Sequence, residues 1–331
     1  LQLTVDTDIQ FLIREELIKF HSIFRAKGST AILMNVNNGE IISMVSYPDF
    51  DLNKRETVSD VNFINRATKG VYELGSVFKT FTVTAGLEEG LIQTDTKFLD
   101  LEKRLKCGKN IISEYDKKIP SDLTVEQILI RSGNIGSVRI GQKLEINKLK
   151  LFLEKIGVLN KIDFDIEEVG EPIPFRWGKC KLATVSFGHG ITTTPLQLAK
   201  GYAIISNGGF EIKPSLIKKN LEINQKRKRI IKEGISEQIN AILRKIVTTK
   251  EGTAGLANIE GYEVGGKTGT AEKTTVGGYT GKAKVNTFAS IFPTSKPKYV
   301  MIVLLDEPKT SKEYIYKYKN KSGSYKGTPY N

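Results

Sequence analysis

The sequence predicts an α/β (α+β) fold: a five-stranded antiparallel sheet flanked by helices, with a mostly helical subdomain inserted between its strands. Three observations carry this. β-rich runs fall near the two ends of the 331-residue chain, and the middle third has helical periodicity. The apolar content of 39% suffices for a full core, and a charged fraction of 26% argues against wholesale disorder.

The elements follow in order. The chain opens on LQLTVDTDIQ, strand-like and then helical. Over residues 7–24, Asp8 is a plausible cap and Ile9, Leu12, Ile13, Leu17 and Phe20 recur at helical spacing. STAILMNV and EIISMVSYP flank Asn37, Asn38 and Gly39, an Asn-Gly turn that marks a hairpin. Residues 76–90 predict a helix ending near Gly90. From about 91 to 210, TVEQILIRSGN and residues 135–157 predict two helices, and Pro195 opens another through PLQLAKGYAII. The charged block KKNLEINQKRKRIIKEG is a solvated surface excursion, followed by a helix over 235–248. YEVGGKTGTAEK, VNTFASIFP and KYVMIVLLDEP complete five strands; the last is nearly continuous in apolar residues, as for a strand covered on both faces. The sheet part thus takes about 1–75 and 235–310 and the helical part about 76–234, all in one domain. From Tyr314 onward the composition is that of a loop or loose tail.

Bulk chemistry narrows the function. A net charge of +13 suits an anionic partner, but no RNP signature, paired Cys/His finger or Walker loop accompanies it, so nucleic acid is not the expected partner. Cys107 and Cys180 have no metal spacing; a disulfide is possible, and two unpaired thiols are the favoured expectation. With only His21 and His189, a histidine-rich metal centre is excluded and a Ser-His-Asp triad is poorly supported. No metal or cofactor is expected. The sequence contains neither a signal peptide nor an apolar run of about 18 residues, and it reads as a piece of something longer.

Three short motifs carry chemistry. Ser76-Val77-Phe78-Lys79 lies at a helix opening, where backbone N–H groups favour developing negative charge and Lys79 returns to the face of Ser76. A serine nucleophile needs a base, and a lysine serves once desolvation or a second cation lowers its pKa. Ser132-Gly133-Asn134 offers a hydroxyl for proton relay and a carboxamide that donates and accepts. Lys267-Thr268-Gly269-Thr270 lies in a glycine-rich strand, along which a ligand backbone can lie, and Lys267 supplies the second cation. Each motif alone is weak, since each also occurs as a helix start, a turn or a strand bend. The ordered set S-x-x-K, S-x-N, K-T-G is hard to obtain by chance, and it resembles the set of penicillin-binding proteins and serine β-lactamases.

The likeness extends over about residues 1–310. NRATKGVYELGSVFK, SFGHGITTTPLQLAKGYAIISNGG, GGKTGTAEKTTVGGY and VLLDEP resemble class B penicillin-binding proteins, and GGY with DEP resembles the division-specific branch, with the elongation-specific branch as close rival. The resemblance implies the penicillin-binding/serine β-lactamase-like fold and a serine D,D-transpeptidase that cross-links peptidoglycan stem peptides in septal wall synthesis. It implies that Ser76 attacks the D-Ala–D-Ala carbonyl or a β-lactam ring, Lys79 takes its proton, and Ser132 relays a proton to the leaving group. Asn134 would hold the acyl side-chain amide, Lys267 and Thr268 the terminal carboxylate, and the backbone N–H groups of Ser76 and Thr270 the oxyanion, with Gly269 between them on the strand. It further implies a periplasmic domain anchored to the inner membrane through an N-terminal helix not present in this chain, with a glycosyltransferase and other divisome membrane proteins as partners. Such proteins normally carry a pedestal domain, and continue beyond the last strand into a segment rich in Gly, Ala and Pro.

Two rivals remain. A serine β-lactamase of class A needs an E-x-x-L-N segment for its deacylating water, and class D needs S-x-V; neither is present. A β-lactam sensor domain, which acylates once and signals, resembles class D and fits S-G-N poorly.

Overall fold

A computed structural model describes residues 1–51, 53–54, 62, 64–108, 110–218, 227–275, 278–319 and 325–330. Its centre is one antiparallel sheet of five strands, β1 (Gly28–Asn35), β2 (Ile41–Tyr47), β7 (Gly265–Thr275), β8 (Gly278–Phe292) and β9 (Tyr299–Asp306), in the order β2-β1-β9-β8-β7. The α+β expectation and its five strands are therefore borne out. The terminal segments meet in the middle of the sheet: Ile32 of β1 pairs with Ile302 of β9, and Ile302 with Ala289 of β8.

Side chains alternate across this sheet with the period of two that a pleated strand imposes. Val300, Ile302 and Leu304 are fully buried on one face, and Met301 and Val303 are half-buried on the other. The first face meets helices α2 (Phe78–Glu88), α6 (Pro195–Ser206) and α7 (Glu233–Thr248) around the main core. The second packs on α1 (Thr7–Ile23), through Ile13 and Leu17 against Ala31 and Val45. The continuous apolar run of β9 is thus covered deeply on one side and partly on the other, because a single amphipathic helix cannot roof the sheet. An apolar cleft of about 430 Å³ remains between α1 and the strands.

Several boundaries differ from the sequence expectation. The cap of α1 is Asp6, not Asp8: the Asp6 carboxylate accepts from the N–H groups of Asp8 and Ile9 at 3.1 and 3.0 Å. The helical middle also holds two short antiparallel pairs, β3 (Lys97–Phe98) with β6 (Leu123–Thr124) and, between them in sequence, the hairpin β4 (Arg104–Cys107) with β5 (Asn110–Ser113). These strands are too short for periodicity to register. Helices α3 (Val125–Ile130) and α4 (Asn134–Lys155) follow, and α4 is broken at Glu145, whose φ is 60°. Pro195 opens α6, where Thr194 and Gln197 form a capping box. Cys107 and Cys180 are joined in a disulfide, which corrects the expectation of free thiols. The end of β4 and the start of α5 (Lys179–Val185) bring their Cα atoms to 5.4 Å, a proximity that sequence separation conceals.

The tail expected to be a loop instead forms an antiparallel hairpin of β10 (Ser311–Lys319) and β11 (Tyr325–Tyr330). Alternation of Lys with Tyr and Ile in KEYIYKYK suits a strand, whereas composition alone suggested a loose end. Residues 219–226 of the charged block and Gly277 of the GGY segment lie outside the described residues. Among the described residues no helix is long and apolar enough to cross a membrane.

Candidate active site

Ser76 occupies a single 3₁₀ turn, Gly75–Val77, that leads directly into α2. The turn is held from beneath by Tyr202 of α6, whose buried hydroxyl donates to the Val77 carbonyl at 2.9 Å and lies 2.9 Å from Thr80 Oγ1. Two glycines let the surroundings close on it. A Cβ at Gly188, where φ is +87°, would stand 1.9 Å from the Gly75 carbonyl oxygen, and one at Gly269 of β7 would stand 2.3 Å from that of Leu74. The K-T-G strand therefore lies directly against the serine turn.

One helical turn beyond Ser76, Lys79 is completely buried. Its amine donates to Asn134 Oδ1 at 2.6 Å, to the Ser132 carbonyl oxygen at 2.5 Å and to Ser132 Oγ at 3.1 Å. From β7, the buried Lys267 amine donates to the same Ser132 hydroxyl at 2.8 Å and to the Thr268 carbonyl at 2.9 Å. Ser132 thus bridges two lysines, and it does so from a left-handed conformation, φ 58°, that non-glycine residues seldom adopt. Among the described residues no hydrogen bond reaches the Ser76 hydroxyl.

Burial dominates the electrostatics. Loss of water lowers the pKa of Lys79 to about 7, with the Glu114 carboxylate opposing that shift. Lys267 is also pushed well down, by burial and then by the charge of Lys79. His189 falls to about 4 for the same two reasons. Lys79 is therefore disposed to be neutral far below the usual range for an ammonium group, and a neutral amine accepts a proton.

The cleft above these groups has a volume of about 420 Å³, and Ser76, Ser132, Asn134, Thr268 and Thr270 all line it. Of the residues picked out in the sequence, Lys79 and Lys267 form its buried floor, and Gly269 packs behind it against the serine turn. The remaining lining comes from residues outside the S-x-x-K, S-x-N and K-T-G motifs: Tyr115, His189, Thr253, Glu272 and Lys284. Thr253 shares a hydrogen bond of 2.8 Å with the Thr268 hydroxyl. A Thr-Ala-Gly loop after a helix carries no sequence signal for such a role. Among the described residues no group of three or more His, Cys, Asp or Glu could hold a metal ion.

This geometry is matched by similarity to known proteins. Residues 29–325 match the family model of the penicillin-binding protein transpeptidase domain. The chain is 34% identical over 317 residues to a probable peptidoglycan D,D-transpeptidase FtsI of Caulobacter vibrioides, covering 93% of this chain and 53% of that protein. It is 32% identical over 331 residues to stage V sporulation protein D of Bacillus subtilis, covering 93% and 50%. The chain therefore spans about half the length of the curated relatives it matches. In structure it is similar to the transpeptidase domain of Burkholderia pseudomallei penicillin-binding protein 3, with a TM-score of 0.83, 26% identity, and coverage of 93% of this chain and 88% of that one. The Ser-Lys-Ser-Lys arrangement, the sheet that presents it and these similarities agree: the chain belongs to the penicillin-binding protein transpeptidase domain family, in its class B.

Proposed function

We propose that this domain is a serine D,D-transpeptidase that cross-links peptidoglycan stem peptides through an acyl-enzyme and is blocked by β-lactams. The observation that carries it is the completely buried Lys79 amine, lowered to about 7 and held beside Ser132 beneath a cleft that Ser76 lines. Ser76 Oγ attacks the penultimate D-Ala carbonyl while Lys79 accepts the hydroxyl proton. The negative oxygen that develops is stabilised by the backbone N–H groups of Ser76 and Thr270. As the peptide C–N bond breaks, a proton passes through Ser132 to the departing amine, and D-Ala leaves. Asn134 holds the acyl side-chain amide, and Lys267 and Thr268 receive the terminal carboxylate. The amine of a second stem peptide then attacks the ester, gives up its proton and restores the Ser76 hydroxyl.

Likeness to an FtsI protein supports a septal role. The Cys107–Cys180 disulfide supports an oxidising, extracytoplasmic location, in which the full protein is held to the inner membrane beside a glycosyltransferase and other division proteins. Intact-mass spectrometry after incubation with benzylpenicillin tests the chemistry. The expected result is an adduct of one drug molecule that lasts for hours and is absent in Ser76→Ala. Rapid drug hydrolysis without a lasting adduct would indicate a β-lactamase, and labelling that survives Ser76→Ala would overturn the assignment.

A further inference from the structure

The S-x-N motif opens α4, and its construction there is unusual. The N-cap position is Gly133, which has no side chain to satisfy the first N–H groups of the helix. Asn134 does not supply the cap either. Its Oδ1 accepts from Lys79 and its Nδ2 donates to the Ser113 carbonyl at 2.8 Å. The cap comes from twenty residues upstream: the two carboxylate oxygens of Glu114 accept from the N–H groups of Asn134 at 2.6 Å and Ile135 at 2.9 Å.

We propose that Glu114 is a positioning residue of the site, fixing the first turn of α4 and thereby, through Asn134, the placement of the Lys79 amine. The end of β5 grips Asn134 twice, by the Ser113 carbonyl at its carboxamide and by Glu114 at its backbone. A carboxylate at a helix N-terminus is favoured by the helix dipole, and paired hydrogen bonds to it restrict orientation more than a single bond does. The same negative charge opposes the lowering of the Lys79 pKa. Glu114 thus sets both where the base sits and at which pH it becomes neutral. The other charged or titratable groups facing Lys79 are Lys267 from β7 and His189 after α5. The neighbouring Tyr115 hydroxyl feels Asp116, Glu114 and Arg131 together, the last of these paired with Glu251 at 3.8 Å.

The inference rests on the transpeptidase reading for its rate measurements, and one measurement is independent of it. The acylation constant for a fluorescent penicillin is followed from about pH 5 to 9 in the wild type, Glu114→Gln and Glu114→Asp. In Glu114→Gln the alkaline plateau falls about tenfold, because one acceptor becomes a donor facing an N–H group. Its acid limb moves to lower pH, because the carboxylate favouring protonated Lys79 is gone. Glu114→Asp, with its charge kept and its reach shortened, lowers the plateau and leaves the limb in place. It also carries the test if Glu114→Gln does not fold. A Glu114→Gln protein with an unmoved acid limb, whatever its melting temperature, or a Glu114→Asp protein with an undiminished plateau, would overturn the proposal. Titration of Lys79 by NMR in lysine-labelled protein makes the same comparison without acylation. Failure of the wild type to react with penicillin would therefore count against the transpeptidase reading, and an unshifted Lys79 titration against Glu114.

Discussion

At the scale of single residues, the proposed chemistry depends on an amine that is neutral near pH 7. Burial lowers Lys79 to about 7, so the fraction able to accept a proton from Ser76 falls tenfold for each pH unit below that value. Acylation by benzylpenicillin should show this acid limb, and Lys79→Ala should lose it while reacting slower by about two to four orders of magnitude. A stopped-flow or quenched-flow pH series is the check. The motif residues were legible in the sequence because serine and lysine one helical turn apart have few other reasons to recur beside S-x-N and K-T-G. Glu114 and Thr253 were not legible, and His189 was visible only as part of the SFGHG segment, with no signal of a role. Each joins the site through a fold-level approach, a cap from the end of a distant strand, a hydroxyl beside Thr268 or a ring beside Lys79.

At the scale of elements, the β4–β5 hairpin connects two parts of the cleft. Its last residues grip Asn134, and its tip is tied through Cys107–Cys180 to α5, which leads into the Gly188–His189 turn beside Ser76. Replacing both cysteines by serine should lower stability by about 2–4 kcal/mol, measured as a denaturation midpoint shifted down with a steeper slope, because the unfolded chain without its cross-link exposes more surface. Long elements were visible in advance because they repeat their pattern: the Asn-Gly hairpin, α6 behind its proline, and β7 to β9 all fall where expected. The two-residue and four-residue strands of the middle were not, since so few residues cannot establish a period of two. The break of α4 at Glu145 was equally silent, because hydrophobic spacing continues across it.

At the scale of the molecule, two ammonium-bearing side chains are carried into a dry interior, and this has a cost that pH controls. Unfolded, Lys79 titrates at 10.5; folded, at about 7. Between these values the unfolded chain binds more protons than the folded one, so stability rises with pH across that window and the penalty is fully felt below it. Lys267 contributes with the same sign. The difference in melting temperature between the wild type and Lys79→Met should therefore change steadily from about pH 7 to pH 10, in the wild type's favour as pH rises. A constant difference would contradict a buried, deprotonating Lys79. The sheet itself was foreseeable from the placement of β-rich runs at both ends, but its disulfide and its terminal hairpin depended on three-dimensional proximity.

The close packing around the serine turn also bears on how such a protein could evolve away from a drug. Gly269 and Gly188 stand so near the backbone of Leu74 and Gly75 that any side chain there would displace the turn that carries Ser76. With the stem peptide laid along the same strand edge, as proposed, selection by β-lactams would have little room to act at these positions. Escape variants should instead accumulate around the rim, at Tyr115, Thr253, Glu272 and Lys284, where cleft shape can change without moving Ser76.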